Sequence, residues 1–165
     1  MSYAFQEAPV AELRAAYIAW LAEQGSPVDN PAEVDVLGLR RWGECWVGAV
    51  VTPIVADMVL LPALPHGPLF NTAGQQEWNL PSGPAKFSCR QMQGVPIVHA
   101  MPLLEKMDDY SSPDAIARAA LMMLEAFLNP ASAALQPGTQ RKPLDDKRAG
   151  PVSRRDFLRG RFFGR

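Results

Sequence analysis

Apolar residues recur at helical spacing over residues 9–24, where Val10, Leu13, Tyr17, Trp20 and Leu21 share one face. Pro9 fits the first turn of that helix and Gly25 its C-terminal stop. Residues 27–43 show little periodicity and read as a connector. Residues 45–52 and 55–61 are β-rich runs separated by Pro53, which marks a bend or a strand edge. Residues 62–83 are rich in proline and glycine and read as a long irregular loop. The clearest strand is 85–90, in which Ala85, Phe87 and Cys89 alternate with Lys86, Ser88 and Arg90, the period of a half-buried antiparallel strand. Residues 91–94 form its turn and 95–101 its returning partner. A second helix is expected over 113–128, with Ser112 as N-cap, Pro113 at its first position and Asp114 opposing the dipole. Its apolar stripe is Ile116, Ala120, Met123, Leu124 and Phe127, and Asn129-Pro130 ends it. The order predicts an α+β domain over 1–130, with an antiparallel sheet of about four to five strands packed with an N-terminal and a C-terminal helix. A flexible linker over 131–152 and a basic tail over 153–165 follow it.

At 165 residues the chain suits one domain, large enough to bury roughly 70 % of its unfolded surface. The longest apolar run, 47–64, is interrupted by Pro53, Asp57 and Pro62, so no membrane-spanning helix is expected. The first residues lack a basic region followed by an apolar core, which predicts no secretory signal and a cytoplasmic location. Cys45 and Cys89 are isolated and build neither a disulfide framework nor a zinc module.

The net charge of −1 hides a division. Residues 1–137 carry 7 Lys+Arg and 14 Asp+Glu, while residues 138–165 carry 9 and 3. An acidic body therefore bears a basic tail, the asymmetry of an interaction segment, although such tails are also often simply solvated or weak binders of nucleic acid. Within the tail, Ser153-Arg154-Arg155-Asp156-Phe157-Leu158-Arg159 resembles the Ser-Arg-Arg-x-Phe-Leu-Lys consensus of twin-arginine export signals, with Arg159 in place of the lysine. Export signals need an apolar run behind the arginines, and here Arg161 and Arg165 interrupt the six residues that follow. The expectation is a segment that imitates a signal without exporting the chain. A second reading makes it an amphipathic segment, with Phe157, Leu158, Phe162 and Phe163 among arginines, for anionic membranes or the export translocase.

Catalytic chemistry is not predicted. The sequence holds no Gly-rich phosphate loop, G-x-S-x-G, H-E-x-x-H or C-x-x-C. Cys45, Cys89, His66 and His99 are scattered without metal-site spacing, and buried structural roles are commoner for such residues. A thiol or metal role for Cys45 and Cys89 ranks last among the readings. Asp108-Asp109 and Ser82 fit turn and capping chemistry. No enzyme, cofactor or metal is expected. Apolar binding surface is the stronger theme, since Met58, Met92, Met101, Met107, Met122 and Met123 supply adaptable side chains. Met122 and Met123 cannot both point inward from one helix, so one of them should be exposed. Trp42, Trp46 and Trp78 are contact candidates if exposed.

Trp46-Val47-Gly48-Ala49-Val50-Val51-Thr52-Pro53, then Met58-Val59-Leu60-Leu61-Pro62, Pro81-Ser82-Gly83 with Phe87, and Met101-Pro102 together resemble the HybE-type nickel–iron hydrogenase assembly chaperones. The resemblance covers roughly residues 10 to 130. It departs at Ile54, where the family often has Trp, and at His99-Ala100. It implies a non-enzymatic assembly chaperone for nickel–iron hydrogenase maturation. Its partners would be hydrogenase precursor subunits: the small subunit through its twin-arginine signal, and in a wider version the large subunit. The residues it marks for partner binding are Trp46, Thr52, Pro53, Met58, Leu61, Pro62, Pro81, Ser82, Gly83 and Met101. The signal-like tail residues Ser153, Arg154, Arg155, Phe157, Leu158 and Arg159 then offer self-association, membrane contact being the alternative, and no nucleic acid is expected.

Overall fold

The computed structural model describes residues 4–130. The linker and tail read from the sequence at 131–152 and 153–165 lie outside the described residues. Helix α1 (Val10–Glu23) precedes strands β1 (Asp35–Trp42), β2 (Cys45–Val51), β3 (Ala56–Pro62), β4 (Gln75–Leu80), β5 (Gly83–Met92) and β6 (Val95–Pro102), and α2 (Pro113–Leu128) closes the order. All neighbouring strands are antiparallel, in one open sheet of order β1-β2-β3-β6-β5-β4.

The sheet is covered on both faces. Leu13, Ala16, Tyr17 and Leu21 of α1 pack with Val50, Val59, Leu61, Val98 and Ala100 on one side. Ala120, Met123, Leu124 and Phe127 of α2 pack with Val47, Ala49, Met58, Leu60 and Phe87 on the other. The interior strands β2 and β3 are consequently buried at every position, with successive side chains entering opposite cores. That is why both read as continuous apolar runs rather than alternating ones.

Both helices fall where the hydrophobic period predicts. At α2, the Ser112 hydroxyl accepts from the Ala115 backbone N–H at 3.1 Å, and Pro113 opens the first turn. Met122 is 48 % exposed whereas Met123 is buried, as the geometry of adjacent helical positions demands.

The sheet has six strands rather than four to five, and the two extra strands correct two readings. The expected connector 27–43 contains β1. Its pairing with β2 shifts register between Leu37 and Arg40, and this bulge breaks the alternation that marks a strand. The expected loop 62–83 contains β4, an edge strand in which only Trp78 and Leu80 are buried. Two apolar positions among prolines and glycines leave no periodic signal.

Gly48 explains one motif position. A Cβ there would stand 3.0 Å from Leu39 Cα and 3.2 Å from the Leu37 carbonyl oxygen, so the bulge of β1 lies directly against its backbone. Gly48→Ala is expected to cost about 1–3 kcal/mol, since backbone rather than a flexible side chain must give way. Urea unfolding would check this; an unchanged midpoint would mean that β1 shifts freely.

Candidate functional site

Strand register sorts nine of the ten body residues marked for partner binding into two ends of the sheet. Val51 pairs with Ala56, Asp57 with Pro102, and Leu80 with Gly83. The β2–β3 turn, the exit of β6 and the β4–β5 turn therefore share one end, which brings together Thr52, Pro53, Met101, Pro81, Ser82 and Gly83. At the opposite end Cys45 pairs with Pro62 and Trp46 with Leu61. Met58 lies beneath α2 and is fully buried.

The first end is built from tight turns with proline outside. The Thr52 hydroxyl accepts from the Ile54 and Val55 backbone N–H groups at 3.3 and 3.0 Å, and the Thr52 N–H donates to the Val55 carbonyl at 2.8 Å. Thr52 is thus consumed within the turn, and it projects Pro53 and Ile54 outward, Ile54 being 44 % exposed. The β4–β5 connection is only Pro81-Ser82, and Gly83 takes up a φ of +121° that a side chain would disfavour. The Ser82 N–H donates to the Phe127 carbonyl at 3.2 Å, tying this turn to the last turn of α2. Pro81 and Pro102 are exposed, Met101 is half-buried, and the chain then runs through exposed Glu105, Lys106, Asp108 and Asp109 to Asp114, acidic on balance. The surface is an apolar rim of prolines and Ile54 followed by an acidic stretch.

The opposite end serves the frame. The Trp46 indole N–H donates to the Phe5 carbonyl at 2.7 Å, and Phe5 N–H donates to the Pro62 carbonyl at 3.1 Å. Trp46, Leu61 and Pro62 are buried and anchor the N-terminal segment, with the Arg41 guanidinium 5.3 Å from the Trp46 ring centroid. Trp78 is buried and Trp42 half-buried, so the condition set for them as contact residues is not met.

Under α1 lies a cluster the sequence reading missed. Asp57 is 1 % exposed. Its Oδ2 accepts from Arg90 Nη1 at 2.7 Å and from the Tyr17 hydroxyl at 3.1 Å, and Oδ1 has no partner among the described residues. Arg90 also stacks 4.6 Å over Trp20. Burial first, then the Asp57 charge, pushes the Tyr17 phenol well above its ordinary range, so it stays a donor. Burial alone would lower Arg90, but Tyr17 and Asp57 outweigh it and the guanidinium stays charged. The signal for this cluster was a lone carboxylate inside the otherwise apolar β3.

Under the other face, Cys89 and His99 are cross-strand partners, with Sγ 3.3 Å from Nε2. They resemble a nucleophile–base pair without the chemistry of one. The Trp78 indole N–H, which can only donate, reaches His99 Nδ1 at 2.9 Å, so Nδ1 must accept. Nε2 therefore carries the hydrogen and donates to the Asn71 carbonyl at 2.8 Å. No imidazole lone pair remains to take a thiol proton. Burial also raises the Cys89 thiol and moves Cys45 up to about 11, which keeps both protonated. Among the described residues no three or more His, Cys, Asp or Glu side chains group as metal ligands, and no helix is long and apolar enough to cross a membrane.

A model of the family described as "[NiFe]-hydrogenase assembly, chaperone, HybE" matches residues 8–160, nearly the whole chain. Comparison with curated protein sequences gives no match. Among solved structures, the solution structure of HybE from Escherichia coli is similar, with a TM-score of 0.61 and 23 % identity over 86 % of this chain and 90 % of that one. At that identity the likeness is one of fold.

Proposed function

This chain belongs to the HybE family of [NiFe]-hydrogenase assembly chaperones, and from that premise we propose that it acts in the cytoplasm by holding hydrogenase precursor subunits until they can pair. The family is one of chaperones, not enzymes, and the committed nitrogens of His99 agree with a site that binds rather than reacts. The small subunit docks through its twin-arginine signal, at the proline-rimmed end of the sheet. Pro53, Pro81 and half-buried Met101 make contacts there, while Thr52, Ser82 and Gly83 hold the turns in shape. Buried Met58 pairs with Met101 and supports that end, while Trp46, Leu61 and Pro62 hold the frame at the opposite end of the sheet. The large subunit is a second occupant in the wider form of this reading.

The observation that carries the reading is the family match from residue 8 to residue 160. The acidic balance of the body supports the choice of a basic-then-apolar ligand. Co-purification from native cytoplasm tests it, using tagged chain with precursor small subunit that carries or lacks its signal. Capture of the complete precursor should fall at least tenfold when the signal is removed. Equal capture of both forms would overturn signal docking, and no capture of any hydrogenase subunit would overturn the partner assignment.

A further inference from the structure

We propose that residues 153–165 of this chain are a built-in competitor for the signal-docking end of the sheet, occupying it in cis until a precursor displaces them. This rests on the signal-docking reading above. The segment matches the twin-arginine pattern at Ser153, Arg154, Arg155, Phe157 and Leu158, with another cation at Arg159. Arg161 and Arg165 interrupt the residues behind it, where an export signal carries an apolar run. A ligand of that kind satisfies the receptor without leading anywhere, which is the property a competitor needs.

Two further observations point to this occupant. The first is charge. Residues 4–130 contain all 14 Asp+Glu and all 7 Lys+Arg of the acidic body. Several of those few cations are already engaged: Arg14 with Asp35, Arg40 with Glu125, Arg90 with Asp57, and Arg41 over Trp46. The surplus of carboxylates is opposite in sign to residues 138–165, which carry 9 Lys+Arg and 3 Asp+Glu. The second is where the chain leaves the fold. It departs after α2, whose Phe127 carbonyl is bonded to Ser82 of the β4–β5 turn, so its exit lies beside the rim formed by Pro81, Pro53 and Ile54. The 131–152 segment could span up to about 70 Å, so length does not keep the tail from that rim. A tether of this length gives an effective concentration of roughly 1 mM. A tail with an intrinsic Kd of about 100 μM would then weaken signal binding about tenfold.

The test is fluorescence anisotropy with a labelled peptide of the small subunit's twin-arginine signal. It compares the full chain with a full-length variant carrying Arg154→Gln, Arg155→Gln, Phe157→Ala and Leu158→Ala, none of which lies within 4–130. The variant should bind the signal about tenfold more tightly, and an unlabelled 153–165 peptide should return it to the natural affinity. Equal affinities, or no competition by the peptide, would overturn the inference while leaving signal docking intact. If neither chain binds the signal, the proposed function fails instead, and a labelled 153–165 peptide reads the tail directly: no binding to the variant overturns this inference too. A difference that grows with protein concentration would put the tail on a second copy and overturn the intramolecular form. Tail-dependent sedimentation with anionic vesicles, without peptide competition, would overturn it in favour of a membrane.

Discussion

Arg90→Ala is expected to destabilise the fold by about 3–5 kcal/mol, the usual cost of stranding one charge of a buried pair. Asp57 cannot escape to water, being 1 % exposed, and its Oδ1 already lacks a partner. Removing the Arg90 bond at 2.7 Å would leave the Tyr17 hydroxyl as its remaining donor. The same substitution strips the guanidinium from the Trp20 ring, so α1 loses its polar seat and part of its packing at once. Against a total stability of about 5–15 kcal/mol, such a loss is severe. Urea unfolding of Arg90→Ala, Asp57→Asn and the double variant separates the terms. The double variant should be more stable than additivity predicts, by about 1–3 kcal/mol, because the stranded charge is gone. A cost below about 1 kcal/mol for Arg90→Ala would show that Asp57 does not depend on the pair.

The same cluster marks the limit of what periodicity reveals. Both helices were legible, α2 through its one-sided apolar stripe and α1 through Leu13, Tyr17 and Leu21 at helical spacing between Pro9 and Gly25. Strands β2, β3, β5 and β6 were legible because each carries either an apolar run or a clean alternation. The bulge concealed β1, and the polar edge concealed β4. Contacts between strands distant in sequence left almost no local trace: Asp57 and Arg90 meet across β6, with Tyr17 arriving from α1. The motif residues were legible as a set, but a motif does not distinguish a residue that builds a turn from one that offers a contact. Thr52 and Pro53 are neighbours in one motif, yet the first is spent on hydrogen bonds inside its turn and the second is exposed.

Trp78→Ala is expected to cost about 3–5 kcal/mol, because it empties a buried site between β4 and the sheet core. The ring stands 4.8 Å from Phe70 and, among the described residues, its N–H is the one donor to His99 Nδ1, so both packing and polarity go together. Trp78→Phe isolates the polar part, with a loss of about 1–3 kcal/mol for the unpaired imidazole nitrogen. It should also change the pH dependence of stability. Burial holds the His99 pKa below its ordinary value of 6.5, partly opposed by the Asn71 carbonyl. On acidification the unfolded chain therefore takes up this proton before the folded one does. The contribution to stability is fully present above pH ~6.5 and is lost as the pH falls through the depressed folded value. In the natural chain, protonation at Nδ1 would also set its new N–H against that of Trp78. Phenylalanine presents no such opposing donor, so the folded pKa should rise toward the ordinary value and the slope should flatten. Urea midpoints between pH 7.5 and 5.5 would show it, with the natural chain weakening toward acid and Trp78→Phe weakening less. Parallel slopes would mean that burial alone, rather than the indole N–H, keeps the proton off His99.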